Sequence, residues 1–393
     1  MLTSRTPPHL ATLTLLTAVS MLTLNMVLPS LPAMTRELHT DAAIMALAVS
    51  GYMLMSAVLQ LGLGPLSDRV GRRPVLLWAL GVYVAASVGC VLAQDITVFL
   101  ICRLAQGAVI AGSVLSSAII RDQFPPRIAA SKLGAIAAAM ALAPMIGPMV
   151  GGLLETTIGW RMIFVLYTGL GTLGLALVWV DLGETLSRAP RPIRAADYGA
   201  LLGSGLFWAY VLCQAFSVGA FYIFITGVPF VATSVYSLSP ALIGLGVGSI
   251  TAGFMLGATL TARLAPRLGL ARLILAGRLV PSIGLGLAVV LFATGFTHPL
   301  WLFGLTLTTG FGNGLTLSNA NAGALSVRPD LAGTAAGLSG ALSIGLGAAL
   351  TWGTALIIGA RGTPLVLLSL MLVSVLVSLA AGIVAVRKDP SMP

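Results

Sequence analysis

Charge is scarce in this chain. Asp, Glu, Lys and Arg make up 8% of its 393 residues, where a soluble domain carries about a quarter. So few charges cannot cover a water-facing surface. No polar domain separates the apolar runs that recur between residues 10 and 386, so the whole chain reads as membrane domain. Cysteine is scarcer still: Cys90, Cys102 and Cys213 lie in apolar segments without C-x-x-C spacing or histidine neighbours. They read as small hydrophobes, not as ligands or disulfide partners. The three histidines, His9, His39 and His298, fall near segment ends. There is no H-E-x-x-H, no Ser/His pairing, no paired intramembrane acids and no phosphate-cradling loop, so the sequence offers no enzyme chemistry and implies no cofactor or metal. None of the 11 Asp and Glu residues falls in the middle of an apolar run, and only Glu155 and Asp181 come near one.

What is present in excess is apolar surface. Hydrophobic residues reach 58% and the mean hydropathy is +1.02. A helix needs about 20 apolar residues to cross the hydrocarbon core, because unpaired backbone groups there are costly. That rule predicts twelve spans, at 10–33, 43–63, 75–93, 97–120, 131–154, 162–181, 200–226, 241–262, 273–293, 299–323, 332–358 and 364–386. The first follows Arg5 as a signal peptide would, but its length and its Pro29 and Pro32 favour a retained helix.

The cations set the orientation. A net charge of +10 would suggest nucleic acid in a soluble protein, but here the cations occupy short loops. Arg5, Arg69, Arg72, Arg73, Arg121, Arg127, Lys132, Arg188, Arg191, Arg194, Arg263, Arg267, Arg272, Arg328, Arg387 and Lys388 fall on one side of the predicted spans. Only Arg36, Arg161 and Arg361 fall on the other, with Arg103 and Arg278 inside helices. The positive-inside rule then places both termini in the cytoplasm. The long polar stretch 182–199 reads as a linker between an N-terminal half, 1–181, and a C-terminal half, 200–393. A weak repeat agrees: residues 64–71 align with 262–269, sharing Leu, Arg and Gly, each between the second and third helix of its half.

Three motifs carry more than topology. Gly64-Pro-Leu-Ser-Asp68-Arg69-Val-Gly71-Arg72-Arg73 places a carboxylate among arginines, which adds nothing to topology. Gly64 would allow close helix approach, Asp68 would cap a helix or pair with arginine, and Arg72 would reach a loop carboxylate such as Asp122, closing a cytoplasmic gate. Arg103-Leu-Ala-Gln106-Gly107 puts a guanidinium inside a span, where it should face a cavity or an internal partner. Pro144, Gly147, Pro148, Gly151 and Gly152 in the fifth helix remove two amide donors and create a groove, which is hinge and packing chemistry. Gly244, Gly248, Gly253 and Gly257 of the eighth helix offer a small-residue partner for it.

These segments resemble motifs A, B and C of the major facilitator superfamily. Together with Asn25-Met-Val-Leu-Pro29-Ser-Leu-Pro32, Arg121-Asp122 and Trp160-Arg161, they resemble its drug/proton antiporters of the bicyclomycin and chloramphenicol resistance (Bcr/CflA) branch. The resemblance implies an all-α membrane protein of two six-helix bundles in the bacterial inner membrane, working as a monomer and exporting small amphipathic compounds such as phenicol-like drugs by alternating access. Protons are the coupling ion it implies, with lipid but no nucleic acid as further partner. Where the branch carries an acid before Leu-Pro-x-Leu-Pro, this chain has Asn25, and an amide cannot carry a proton. Glu155 or the Asp68 cluster is the remaining candidate carrier, and a metabolite importer or uncoupled facilitator is the alternative function. Candidate substrate-facing groups are Asn25, Tyr52, Arg103, Gln106, Gln214, Tyr222, Asn313 and Asn319, because polar groups in a span are costly against lipid.

Overall fold

A computed structural model describes residues 8–186, 195–328 and 331–389. Every regular element among them is helical: α1 (Leu10–Asn25), α2 (Leu31–Glu37), α3 (Ala42–Met45), α4 (Leu47–Val70), α5 (Arg72–Leu92), α6 (Ile96–Ala105), α7 (Ile110–Gln123), α8 (Pro126–Thr157), α9 (Arg161–Asp181), α10 (Ala195–Leu202), α11 (Gly205–Tyr236), α12 (Pro240–Ala293), α13 (Pro299–Ser326), α14 (Ala332–Arg361) and α15 (Pro364–Lys388). Short 3-10 turns, Leu28–Ser30 and Gln106–Val109, join α1 to α2 and α6 to α7. With these joins counted, 10 stretches are long and apolar enough to cross a membrane. α8 and α13 are of similar length, but Thr306, Thr309, Asn313, Thr316 and Asn319 dilute the apolar content of α13. Large apolar side chains point outward, with Trp78 78%, Leu300 73% and Ile283 70% exposed, as expected where lipid is the solvent.

Several boundaries differ from the hydropathy reading for local reasons. The segment 64–70, read as part of a loop, is roughly the last two turns of α4, and the chain turns at Gly71. α11 starts at Gly205, not 200, because the Ser204 hydroxyl accepts from the Phe207 amide and caps it; it then runs through Pro229 to Tyr236. The predicted linker 182–199 lies outside the described residues over 187–194, which hold Arg188, Arg191 and Arg194; its far end is the first turn of α10.

Gly71 (φ 108°, ψ 151°) ends α4, and Gly269 (φ 75°, ψ 166°) breaks α12 into two rods. They are the last residues of the two aligned repeats, and both occupy backbone conformations open essentially to glycine alone. α1 to α9 pack mainly among themselves, as do α10 to α15, and α8 crosses α12 while α4 lies along α14. The ends of α1, α5 and α9 that adjoin basic loops gather together: His9 N and Thr12 Oγ1 both donate to Asp181 Oδ2, at 2.9 and 2.7 Å, and Arg73 Nη2 donates to Trp179 O at 2.8 Å. We call this the basic end.

The two glycines should differ in their tolerance of alanine. A Cβ at Gly269 meets nothing within 4 Å, whereas one at Gly71 would collide with the Glu184 carboxylate. Gly269→Ala is expected to cost only the backbone strain, about 1–3 kcal/mol, and Gly71→Ala clearly more. Thermal melting of the two variants in detergent checks the order.

Candidate substrate cavity and its polar supports

At the basic end, Arg72 anchors a charge cluster. Its guanidinium pairs with Asp68 at 2.5 Å and donates from Nε to Asp122 Oδ2 at 3.0 Å, tying α4, α5 and α7 together. Glu184 caps α5, its Oε1 and Oε2 accepting from the amides of Arg72 and Arg73 at 3.0 and 3.3 Å, where the helix dipole favours an anion. From its sequence Asp68 could cap a helix or pair with arginine; it does the second, and the capping falls to Glu184, which the sequence placed only in the linker. Arg69 is exposed. Gly64, expected to allow close approach, faces open space, a Cβ there meeting nothing within 4 Å; the close approach is at Gly71.

At the opposite end, the glycines of α8 bring three backbones together. A Cβ on Gly147 would come within 3.2 Å of Asn25 Cβ, one on Gly151 would strike the Met26 carbonyl, and one on Gly152 would strike the Pro240 carbonyl. Gly244 of α12 sits equally close to the Pro148 carbonyl. Pro144 and Pro148 lie inside α8 without ending it. Gly253 and Gly257, read as part of the same partner stripe, face α13 instead, against Leu307 and Phe311. Arg161 pairs with Glu37, which also accepts from Trp160 Nε1 at 2.6 Å.

Between these ends lies a cavity of about 350 Å³. α1, α8, α11, α12 and α13 line it with Met21, Leu24, Asn25, Pro144, Val218, Phe221, Tyr222, Ile250, Thr251, Phe254, Gly310, Asn313 and Leu317. The wall is apolar and aromatic, with the amides of Asn25 and Asn313 and the hydroxyls of Thr251 and Tyr222 as its polar groups, and no described lining residue is charged. Of the eight candidate substrate-facing residues, the structure brings Asn25, Tyr222 and Asn313 together here.

Arg103, Gln106 and Tyr52 are not among the lining residues. Arg103 is fully buried and donates from Nε to Ala48 O at 3.0 Å, from Nη1 to Gln106 Oε1 at 2.7 Å and from Nη2 to Thr23 O at 2.7 Å. The Tyr52 ring lies 4.5 Å from its Cζ, and Gln106 Nε2 continues to Ser87 Oγ at 2.8 Å. These groups are costly against lipid, but the answer to that cost is one another and the helix carbonyls. Gln214 and Asn319 lie off the cavity as well: Gln214 Oε1 is buried without a partner among the described residues, and Asn319 Nδ2 donates to Leu315 O at 2.6 Å. Glu155 is half-buried near the end of α8 with Oε2 unpartnered among the described residues.

Sequence reasoning missed Arg278. It is fully buried on α12, donating from Nε to Thr316 Oγ1 at 2.9 Å and from Nη2 to Asn313 Oδ1 at 3.0 Å. It was visible as an arginine inside a span, the same signal that singled out Arg103.

A polytopic helical protein whose two sets of helices enclose a solute-sized cavity is a membrane transporter in architecture. The Major Facilitator Superfamily profile matches residues 13–351. A chloramphenicol resistance protein of Pseudomonas aeruginosa is 30% identical over 298 residues, covering 73% of this chain and 70% of that one. The multidrug transporter MdfA of Yersinia pestis (bv. Antiqua, strain Angola) is 28% identical over 305 residues, 76% of this chain and 73% of its own. Among solved structures, a D-xylose–proton symporter superposes with a TM-score of 0.78 at 16% identity, covering 97% of each chain. The chain belongs to the major facilitator superfamily.

Because Arg103 supports helices and not the cavity, Arg103→Met should lower stability by about 2–5 kcal/mol, since each buried acceptor left unpaired costs roughly 1–3 kcal/mol. The folded fraction should keep the affinity of the wild type for a cavity ligand. Melting curves paired with equilibrium binding on the purified variant test both halves of this expectation.

Proposed function

We propose that this transporter exports small, neutral or weakly polar amphipathic compounds, phenicol-like drugs among them, by alternating access across the bacterial inner membrane. The observation that carries this reading is the cavity between the two sets of helices, apolar and aromatic with isolated amides and hydroxyls and no charge among its described lining residues. Such a wall suits an amphiphile better than a sugar or an ion. The similarity to proteins named for chloramphenicol resistance and multidrug transport supports it.

In this reading the ten apolar stretches together with α8 and α13 make twelve spans in two six-helix bundles, 1–181 and 200–393, linked by 182–199. The chain works as a monomer, with both termini and the basic end in the cytoplasm. Asp68, Arg69, Gly71 and Arg72 form the cytoplasmic gate, with Asp122 and Glu184 as its acceptors. Pro144, Gly147, Pro148, Gly151 and Gly152 give α8 the pliancy and close contact that rocking requires. Glu155 is the proton carrier, its unpartnered oxygen taking the role that Asn25 cannot. An uncoupled facilitator or metabolite importer of the same superfamily is the second reading, favoured by the absence of a carboxylate among the described residues of the cavity wall.

Expression in a drug-sensitive host without its major pumps separates these. Chloramphenicol accumulation should fall severalfold, and a protonophore or Glu155→Gln should restore it. Lowered accumulation that survives both treatments removes the proton from the cycle. Unchanged accumulation of chloramphenicol and other amphiphiles, with faster uptake of a nutrient, establishes the second reading in place of efflux.

A further inference from the structure

Two amides line the cavity from opposite sets of helices, and the bonds behind each fix which end it can offer. Asn313 of α13 has its Oδ1 occupied, accepting from Ser217 Oγ at 2.7 Å and from Arg278 Nη2 at 3.0 Å. A guanidinium has donors only, so it is the amide oxygen and not the nitrogen that must face Arg278. The amide cannot reverse while the cation is there. Nδ2 of Asn313 has no acceptor among the described residues, and the residue lines the cavity, so its two donors remain for a ligand.

Asn25 of α1 is oriented the other way. Its Nδ2 donates to the Met21 carbonyl at 2.7 Å. A carbonyl has lone pairs only, so the Asn25 nitrogen must face it. Oδ1 is then the end left over, and it is buried without a partner among the described residues. A buried acceptor without a donor is destabilising until something supplies one.

Arg278 explains itself by this arrangement. A fully buried guanidinium with no carboxylate beside it, and with Nη1 unpartnered among the described residues, is a costly way to fill space. Arg103 in the other set of helices is bonded from Nε, Nη1 and Nη2. What Arg278 supplies, held in turn by Thr316, is a neighbouring amide with one permitted orientation.

We propose that, of the polar groups in the cavity, two amides read its solute, a donor from Asn313 in one set of helices and an acceptor from Asn25 in the other, with Arg278 as the positioning residue behind the donor. Among amphiphiles of matching size the site selects neutral molecules that pair an acceptor, such as a nitro or carbonyl group, with a separate N–H or O–H donor. The inference rests on the cavity being the amphiphile site proposed above.

Four flat aromatic probes of similar size test it on the purified protein in lipid nanodiscs, with affinity read by equilibrium dialysis. Naphthalene has neither group, indole a donor only, nitronaphthalene an acceptor only, and nitroindole both. Nitroindole should bind tightest. Asn313→Leu should weaken the two nitro probes about tenfold, the worth of a hydrogen bond of ordinary strength, and leave indole unchanged. Asn25→Leu should do the reverse, weakening indole and nitroindole and sparing nitronaphthalene. Arg278→Met, with Asn313 intact, frees the amide to turn, so the preference for nitro over N–H probes at that wall should collapse; Arg278→Lys, which still only donates, should restore it. Asn313→Asp carries the same test if Arg278→Met does not fold. Its carboxylate keeps Arg278 and Ser217 paired but has no N–H, so only the nitro probes should weaken.

Equal losses across all four probes, or an Arg278→Met protein that melts earlier with its preference intact, would overturn the proposal while leaving the amphiphile cavity standing. Absence of binding by every probe to folded wild-type protein would overturn both.

Discussion

Lipid offers a polar group no partner, and this chain is arranged around that single constraint. Its backbone closes on itself as helices, its large apolar side chains face outward, and every uncharged or charged polar side chain within the spans must find its bond inside. The hydrophobic effect, which gathers the core of a soluble domain, does little between helices already surrounded by hydrocarbon. Association instead depends on backbones coming close enough for dispersion and on a few internal hydrogen bonds. The glycines where α8 meets α1 and α12, and where α12 meets α13, supply the first. The two fully buried arginines, Arg103 and Arg278, supply much of the second.

Those arginines solve one problem in two ways. Arg103 ties α6 to carbonyls of α1 and α4 and, through Gln106, to Ser87 of α5. Its network is closed, so it stiffens the packing of four helices without offering anything to a solute. Arg278 has a shorter network that stops at Asn313, on the cavity wall. A closed network fixes a scaffold, whereas one that ends at a surface fixes the chemistry of that surface. The same residue type inside the membrane can therefore be structural in one half and, in our proposal, selective in the other.

The sequence made the architecture legible because lipid imposes a length and a composition that soluble folds do not share. The apolar runs located the helices, and the alignment of 64–71 with 262–269 anticipated two glycines that break helices at matching points. The site was less legible. That Arg103, Gln106 and Tyr52 had to face inward followed from their polarity, but inward can mean a cavity or a neighbouring carbonyl, and one sequence does not distinguish them. For Asn25, Tyr222 and Asn313 the same reasoning led to the cavity wall. Arg278 carried the same signal as Arg103 and lacked only a flanking motif, so motif-led reading passed over it. Glu184 escaped because the α5 amides it caps lie far away in sequence, at Arg72 and Arg73, and leave no mark in its own neighbourhood.

Asn25 stands where the cavity and the end opposite the basic loops meet. α1 loses its regular hydrogen bonding just after it, and α8 presses on the same turn, through Gly147 against Asn25 Cβ and through Gly151 backbone against backbone. Contacts of this kind contain no side chain that can change rotamer to absorb a shift, so α8 cannot slide along α1 without either parting from it or carrying Met26 with it. One residue on, around the adjacent side of α8, Gly152 and Pro148 meet Pro240 and Gly244 of α12 backbone against backbone. Any movement that separates α8 from α12 at this end must therefore be felt at the turn that holds the Asn25 amide. A solute bonded to that amide and to Asn313 on the other wall would bridge the two surfaces that have to part, which links occupancy of the cavity to the position of the helices without any charge having to move between them.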